Sequence, residues 1–296
     1  MEKAIHRFKV EDEFLRIYKI TVTWSFMRTP MNKKAIYTLL MLVCIVIFWL
    51  VDNFYTPASY TDPNKNTTKA PVAALLLPSS TTNEIVHHAN FSLSYHEKHE
   101  QAEWVFYALT KEQLTYDDRE RPYFIEDPKV RTKSADWRNY RGSGYDRGHL
   151  CPAGDRRFSE YAYNETFYTS NISPQNSEFN AGVWNDLEQQ VRYWCKKYGD
   201  LYIMTGGVLE ENLDAIGDEA VSVPNYFYKI VARNQGTSIK MVGFLFPNKP
   251  TDAPLQSFLV SVDEIERRTK IDFFEKLPDQ EENTLESQIG DKDWKF

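Results

Sequence analysis

The chain has 296 residues, of which 15% are aromatic and 26% are charged, and its formal net charge is −7 at pH 7. About 200 residues remain beyond an N-terminal region, which is enough for one domain with a substantial hydrophobic core. The acidic balance argues against a chain that binds polyanions over its whole surface, although it leaves room for a local basic face.

An uncharged segment near the N-terminus is the first feature in chain order. Lys33 and Lys34 precede seventeen residues without a charge, Ala35–Val51. As a helix this segment is about 26 Å long, at the lower limit for crossing a bilayer. Basic residues before it favour an N-terminus on the cytoplasmic side. The sequence therefore predicts a cytoplasmic segment over residues 1–34, a transmembrane signal anchor over 35–51, and a domain outside the cytoplasmic membrane.

Other interpretations of this segment stay open. A cleaved signal peptide would release the domain as a secreted protein, but the apolar core of such a peptide is usually shorter. The residues after the segment, Asp52–Tyr55, also form a poor cleavage site. A core helix of a soluble protein is a further alternative. Translation could also start at Met27 or Met31, because residues 1–30 show no clear period.

The rest of the chain has the pattern of one α+β domain. Pro57, Pro63 and Pro71 lie in a stretch without an apolar period, which predicts a linker over residues 52–72. Alternating or continuous apolar runs predict strands at residues 91–95, 104–109, 201–207, 226–231 and 239–246, with a short helix at 262–270. We expect a mixed or antiparallel sheet within a domain over 73–275, followed by an acidic, disordered tail over 276–296.

The segment Tyr145–Leu150 contains the only histidine that follows His99. This residue, His149, is therefore the obvious candidate for a base that works near neutral pH. Arg147 lies two residues earlier, and side chains two apart on an extended segment point the same way. Such a pair suits a site in which arginine holds a phosphate while histidine acts beside it. The alternative is an interior histidine in a loop.

A second block follows at residues 170–188. Residues 167–170 favour a strand, and Pro174 interrupts the chain before a helix that we predict from Asn180 to Tyr198, with Gly199 as its stop. The apolar stripe of this helix consists of Trp184, Leu187, Val191, Trp194 and Tyr198. Glu188 and Arg192 lie one turn apart on one flank of that stripe. Alone, these two residues could be a surface ion pair.

The two blocks together resemble the DNA/RNA non-specific endonuclease family, the ββα-metal nucleases. The matching residues are Asp-Arg-Gly-His at 146–149, Ser-Asn-Ile-Ser-Pro-Gln at 170–175, Phe-Asn at 179–180, Trp184, Leu187-Glu188 and Arg192. Two separated motifs in register are a strong signal, whereas one alone would be weak. The resemblance covers about residues 73–275 and implies two strands followed by a helix, with His149 ending the first strand and Asn180 opening the helix.

The resemblance implies a metal-dependent endonuclease that cleaves DNA and RNA with little sequence preference and leaves 5′-phosphate ends. His149 would take a proton from the attacking water. The metal would be Mg²⁺, with Mn²⁺ as a substitute, bound directly by Asn180 and through water by Glu188. One neutral protein ligand is chemically sufficient, because Mg²⁺ keeps several of its waters.

Arginines complete the implied site. Arg147 and Arg192 would clamp phosphate oxygens together with Arg121, and Asn171 belongs to the same catalytic set by resemblance. Residues 129–157 contain eight basic and three acidic residues, a local charge of +5. This basic run includes Arg138 and Arg141, which we expect to contact neighbouring phosphates of the substrate.

The main alternative is a catalytically inactive, membrane-anchored module that only binds nucleic acid. A Ser-His-Asp hydrolase would need a nucleophile elbow, which is absent around His149. A zinc hydrolase would need more ligands than the pair His96 and His99 offers. The expected partners are DNA, RNA and, through residues 35–51, a membrane, while a homodimer is left open. No pattern supports a disulfide between Cys151 and Cys195.

Overall fold

The computed structural model describes residues 32–54, 76–235 and 238–296, and the chain divides into two compact units between Thr56 and Pro57. In the described part of the first unit, helix α1 runs from Lys33 to Phe54. Its part from Lys33 to Val51 has a mean hydropathy of 2.4 and is fully exposed. The predicted apolar helix is therefore present, and by length and composition it suits either a membrane span or a signal sequence. The structure of residues 1–31 and 55–75, which include most of the predicted cytoplasmic segment and linker, lies outside this description.

The second unit is built on a seven-stranded sheet in which every neighbouring pair is antiparallel. In their order across the sheet, the strands are β1 (Ile85–His87), β2 (Ser92–His96), β3 (Gln101–Leu109), β6 (Leu201–Gly207), β9 (Tyr226–Gln235), β10 (Ser238–Pro247) and β11 (Leu259–Val260). The five predicted strand segments all fall in this sheet, and the antiparallel form of the predicted α+β fold is confirmed.

Both faces of this sheet are buried. Because side chains alternate along a strand, Val105 and Tyr107 of β3 enter one apolar cluster while Trp104 and Phe106 enter another. The first cluster packs against helix α4 (Asn185–Tyr198). The second packs against helix α5 (Val262–Thr269) and the segment that follows it. The sheet is thus the middle layer between two helical layers.

Two further two-stranded sheets lie outside the large one. β4 (Asp146–His149) pairs with β5 (Ile172–Gln175), and β7 (Ala215–Ile216) pairs with β8 (Val221–Ser222). A short helix, α2 (Glu160–Glu165), lies in the connection from β4 to β5, and a single turn, α3 (Ser177–Phe179), follows β5.

The second strand of this pair differs from the prediction. The sequence favoured a strand at residues 167–170, but Phe167 and Tyr168 pack in a third apolar cluster and a tight turn follows them. The strand begins instead at Ile172 and contains Pro174. A proline fits here because β5 has a hydrogen-bonded neighbour on one side only, so its missing N–H is not needed.

The C-terminal tail also differs from the prediction of disorder over 276–296. Residues Asp279–Glu286 form helix α6, and the Trp294 ring lies 4.8 Å from that of Trp194. Trp194 Nε1 donates a hydrogen bond to the Lys295 carbonyl at 2.7 Å. The abundance of acidic residues suggested a solvated tail, but a few apolar side chains are enough to dock it on α4.

Candidate active site

Two strands and a helix carry the central motif. In the β4–β5 pair, Arg147 lies opposite Pro174 and His149 lies opposite Ile172. The chain then passes through α3 and reaches Asn180 directly after that turn. The predicted order of two strands followed by a helix is confirmed, with His149 at the end of the first strand.

The His149 imidazole lies in an aromatic setting. Its ring centroid is 5.7 Å from that of Phe124 and 4.9 Å from that of Phe167, which it meets edge-on. Its Nε2 is buried and has no hydrogen-bond partner among the residues that the structure describes. Burial and the positive charges of Arg121 and Arg147 lower the pKa of His149 to about 3. The ring is therefore neutral at pH 7 and can accept a proton.

The two arginines lie over the same aromatic side chains as the histidine. The Arg147 guanidinium is 4.8 Å from the Phe124 ring centroid, and that of Arg121 is 5.5 Å from the same centroid. Cation–π contacts of this kind hold a guanidinium without consuming its N–H donors. Within the described part of the chain neither arginine forms an ion pair with a carboxylate. Both are available to an anionic ligand.

A cleft of about 440 Å³ opens beside the motif. Its lining brings together four residues that the sequence predicted for the site, Arg121, Arg141, Arg147 and Asn180. The remaining lining residues are Trp137, Tyr140, Tyr145 and Asp146. An open groove with two unpaired arginines fits a phosphate backbone better than an apolar small molecule.

The Asn180 side chain is oriented by a carboxylate. Its Nδ2 donates to Asp146 Oδ2 at 3.0 Å, and the other oxygen of Asp146 accepts a hydrogen bond from the Ser177 hydroxyl at 2.8 Å. With the NH₂ group committed to Asp146, the carbonyl oxygen of Asn180 remains as a ligand. Oxygen is the donor that Mg²⁺ prefers, and this ion needs few protein ligands. The residues present therefore fit a bound Mg²⁺.

The helix after Asn180 is irregular. A wide turn spans Asn180–Trp184, with Gly182 outside helical geometry (φ −96°, ψ −115°), and the regular helix α4 begins at Asn185. The sequence predicted one continuous helix from Asn180. Interruptions of this type occur often at functional sites, where they re-aim side chains.

Glu188 and Arg192 form a second group of charges on α4. Arg192 Nη1 donates to Asp155 Oδ1 at 2.7 Å and lies 3.9 Å from Glu188 Oε2. Burial raises the pKa of Glu188 to about 7, with Lys229 and Arg192 opposing this effect and Asp155 adding to it. A nearby cation would stabilise the ionised form of this carboxyl group. Neither Glu188 nor Arg192 is part of the lining described above for the cleft.

Lys229 belongs to this group and was missed in the sequence. It is fully buried on β9, and its Nζ lies 4.4 Å from the Trp184 ring centroid with no hydrogen-bond partner in the described residues. Burial lowers its pKa, whereas Glu188 and Asp155 raise it. A lysine inside the apolar run at residues 226–231 was the available signal.

A sequence profile of the DNA/RNA non-specific endonuclease family matches residues 69–280, which include the strand–strand–helix motif and the whole cleft. This chain belongs to the DNA/RNA non-specific endonuclease family.

Similar proteins come from animals and a fungus. Mitochondrial nuclease EXOG from Danio rerio is 35% identical over 215 residues, which are 67% of this chain and 63% of EXOG. Mitochondrial endonuclease G from Homo sapiens is 36% identical over 202 residues, 62% of this chain and 67% of that protein. Nuclease C1 from Cunninghamella echinulata var. echinulata is 35% identical over 217 residues, which are 67% of this chain and 85% of nuclease C1. This chain thus spans less than two thirds of the EXOG length.

A solved structure shows the same fold. The complex of EndoG with EndoGI, described as showing the mechanism of EndoG inhibition, superimposes with a TM-score of 0.66 at 29% sequence identity. The match covers 73% of this chain and 96% of the other. Membership of the DNA/RNA non-specific endonuclease family therefore rests on sequence and fold together.

Asn171, which the family resemblance placed in the catalytic set, does not reach the cleft. It is fully buried, and its Nδ2 donates to the carbonyls of Cys151 at 3.0 Å and Thr166 at 2.9 Å. Its Oδ1 accepts a hydrogen bond from the Cys151 N–H at 2.8 Å. These bonds use both N–H groups of the amide and join the two ends of the β4–β5 connection, and Asn171 is not part of the lining of the cleft.

The basic run over residues 129–157 is less available than its charge suggested. Arg156 is buried and donates to the carbonyls of Asn90 and Ala108. Ion pairs join three other members to acidic residues, namely Arg131 to Glu84, Lys133 to Glu126 and Arg138 to Asp136. Arg141 is exposed and lines both the cleft and an adjoining depression of about 660 Å³ that also contains Arg138. In this family member Arg141 and Arg147 are the members of the run at the cleft.

A buried charge cluster behind the aromatic residues was also missed. His88 Nε2 lies 2.8 Å from Asp127, and His88 Nδ1 lies 3.5 Å from Glu165, all three side chains being fully buried. Asp127 also accepts a hydrogen bond from Ser170 at 2.5 Å. Burial alone would lower the pKa of His88, but the two carboxylates raise it to about 9. The cluster joins the turn before β2 to the segments that carry Phe124 and Phe167.

Proposed function

We propose that this chain is a metal-dependent, sequence-nonspecific endonuclease that hydrolyses phosphodiester bonds in DNA and RNA. The observation that carries the proposal is the environment of His149. A neutral imidazole with an unpartnered Nε2 lies beside two arginines that have no carboxylate partner among the described residues, and these arginines line the cleft together with Asn180. Family membership and the names of the relatives support the same activity.

Substrate binding falls to the arginines. Arg121 and Arg147 would pair with oxygens of the scissile phosphate, since guanidinium groups match phosphates with two parallel hydrogen bonds. Arg141 would contact a neighbouring phosphate. Contacts made to the backbone and not to base edges give little sequence preference and allow both DNA and RNA as substrates.

Proton transfer falls to His149. Its Nε2 would take the proton of the attacking water, and binding of the anionic phosphate would raise the pKa of the ring from its low value in the free protein. The leaving group would be the 3′ oxygen, so the product carries a 5′-phosphate. Arg121 and Arg147 would stabilise the charge that develops on the phosphate oxygens.

Asn180 would hold Mg²⁺, for which Mn²⁺ would substitute, with Asp146 fixing the amide orientation. When bound, the ion would supply electrostatic stabilisation of the phosphate and of the departing oxygen. Glu188 would hold water molecules around the ion. Arg192, held by Asp155 and close to Glu188, would position that carboxylate.

The test uses the full chain purified in detergent with supercoiled plasmid and end-labelled RNA. We expect nicking and cleavage in Mg²⁺, a stop on addition of EDTA, and recovery when Mg²⁺ is restored. Asn180→Ala should need far more Mg²⁺, whereas the control Asn185→Ala, at the start of α4, should behave as wild type. Binding without cleavage under every condition would support an inactive binding module, and full cleavage in EDTA would refute the metal.

For location, α1 would anchor the chain in the cytoplasmic membrane with the nuclease domain outside, as the lysines before it favour. The EXOG and endonuclease G relatives are named mitochondrial, so the experiment also has to determine which membrane contains the protein. Full-length protein should stay with membranes after alkaline carbonate extraction and be digested by protease added outside. A soluble product whose N-terminus follows residue 51 would show a cleaved signal and secretion instead.

A further inference from the structure

Three carboxylates meet where helix α6 packs near helix α5, away from the motif described above. Asp263 and Glu266 lie one turn apart on α5, and Glu286 is the last residue of α6. One carboxylate oxygen from each of the three lies within 4.8 Å of the others. Two oxygens bound to one Ca²⁺ at 2.3–2.6 Å are separated by at most about 5 Å, so these three fit the shell of one ion.

Glu286 is the member of this group that requires a partner. It is 5% exposed, and its Oε1 has no hydrogen-bond partner among the described residues. An unpaired carboxylate in such a position is strongly unfavourable unless it takes up a proton or a cation. Burial raises the pKa of Glu286 to about 9, and the strongest charges acting on it, those of Glu266, Glu282, Asp272 and Asp263, all raise it further.

The charged groups that act most strongly on Glu286 are carboxylates. Burial raises the pKa of Glu266 to about 7, and one of its oxygens accepts a hydrogen bond from the Phe273 N–H at 2.8 Å. Glu282, one turn before Glu286, also has a buried Oε1 without a partner in the described part of the chain. The arginines of α5 do not relieve this excess, because Arg267 and Arg268 both pair with Glu264.

We propose that Asp263, Glu266 and Glu286 bind a Ca²⁺ ion that fastens α6 to α5. The donor set is all carboxylate, which suits a hard cation and not Zn²⁺. Asp263 is exposed, so water can complete the six to eight ligands that Ca²⁺ takes in a flexible geometry, whereas Mg²⁺ demands a near-ideal octahedron with shorter bonds of 2.0–2.1 Å. This site is separate from the one proposed at Asn180 and does not depend on the nuclease activity.

Fastening α6 has a structural consequence for the nuclease domain. The residues after α6 lead to the docked tail, where the Lys295 carbonyl accepts hydrogen bonds from Trp194 and from Gln190 of α4. The same helix carries Glu188. An ion bound at Glu286 would therefore restrain the chain between α6 and the C-terminal residues that pack on α4.

The experiment measures ⁴⁵Ca²⁺ binding to the full chain in detergent by equilibrium dialysis after treatment with a chelator. Glu286→Gln preserves the shape of the side chain but removes its charge. The control, Glu281→Gln, makes the same change at an exposed position of α6. We expect the Glu286→Gln chain to bind one Ca²⁺ fewer than the control, or to bind it at least tenfold more weakly, so a second Ca²⁺ at the nuclease motif does not confuse the result.

A second measurement uses trypsin cleavage after Lys276 and Lys292, which flank α6. Ca²⁺ should slow this cleavage and raise the melting temperature in the control but not in Glu286→Gln. Equal Ca²⁺ binding by the two variants would overturn the proposal. The proposal would also be overturned if Ca²⁺ left the melting temperature of the control unchanged and Glu286→Gln melted at a higher temperature than the control. That result would show that a shared proton, and not an ion, neutralises Glu286.

Discussion

The charge cluster of His88, Asp127 and Glu165 predicts how the stability of the domain depends on pH. The pKa of His88 rises from its ordinary value of 6.5 to about 9 in the folded chain. A pKa difference of one unit corresponds to 1.36 kcal/mol, so the protonated, paired His88 contributes about 3 kcal/mol to folding. The side chain is fully buried, so solvent does not screen this contribution.

The sign of the effect follows from which state binds the proton more tightly. The folded chain keeps the His88 proton up to a higher pH than the unfolded chain does. The stabilisation is therefore complete below about pH 6.5 and is lost as the pH rises through 9. The carboxylates act in the opposite range, because the pKa values of Asp127 and Glu165 are lowered in the folded chain despite their burial. Their contribution is lost as the pH falls through those values.

The assay is urea unfolding of the full chain in detergent, followed by tryptophan fluorescence at several pH values from 6 to 9.5. His88→Gln keeps a hydrogen-bond donor for Asp127 but cannot lose a proton in this range. Its deficit relative to wild type should therefore be largest near pH 6 and narrow by about 3 kcal/mol at pH 9.5. His87→Gln, on the exposed neighbour in β1, is the control and should follow wild type. A deficit that stays constant with pH would refute the reasoning.

Three further predictions concern the cleft and its surroundings. Asp146→Asn should raise the Mg²⁺ concentration for half-maximal cleavage roughly 10- to 100-fold, because Asn180 loses the group that orients it; an unchanged Mg²⁺ requirement would contradict this. Asn171→Ala should cost roughly 3 kcal/mol in urea unfolding for its three buried hydrogen bonds; lost cleavage at full stability would instead support a catalytic role. The slope of log KM for duplex DNA against log salt concentration should have a magnitude of about 2 to 3, because each neutralised phosphate contributes about 0.9. Arg141→Glu should make this slope shallower, whereas Arg131→Glu, at an arginine that is paired with Glu84, should leave it unchanged.

Periodicity and motifs predicted most of the fold. Four members of the predicted helix stripe, Trp184, Leu187, Val191 and Trp194, are buried as expected, because an amphipathic helix packs its apolar face on the sheet. The fifth, Tyr198, is half-buried. The strand positions followed from alternating and continuous apolar runs. The second motif strand was misplaced because Phe167 and Tyr168 have the composition of a strand but pack in their own apolar cluster, directly before the turn at Thr169–Asn171.

Residue type and spacing were enough to predict a candidate site. His149, Arg147 and Asn180 were candidates because no other histidine follows residue 99 and because the motifs fix their order. Contacts between distant segments could not be read from sequence. Asp155 reaches Arg192 across 37 positions, and only folding shows that this arginine already has a carboxylate partner.

The basic run shows the same limit for charge. Local composition gave +5, but Arg156 is buried, Arg131 and Lys133 pair with acidic residues outside the run, and Arg138 pairs with Asp136 inside it. Most of this charge is therefore not available at the cleft. Net charge along a segment counts residues, whereas attraction for a polyanion depends on which charges remain unpaired at the surface.

The proposed hydrolysis of phosphodiester bonds depends on His149 as its base. The most direct test compares plasmid cleavage by full-length His149→Ala and by the surface control His87→Ala, with Mg²⁺ present and with DNA binding measured separately. We predict that His149→Ala loses about 10²- to 10⁴-fold in cleavage rate while DNA binding and unfolding by urea stay close to those of the control. A His149→Ala chain that keeps a tenth or more of the control rate would contradict the central claim.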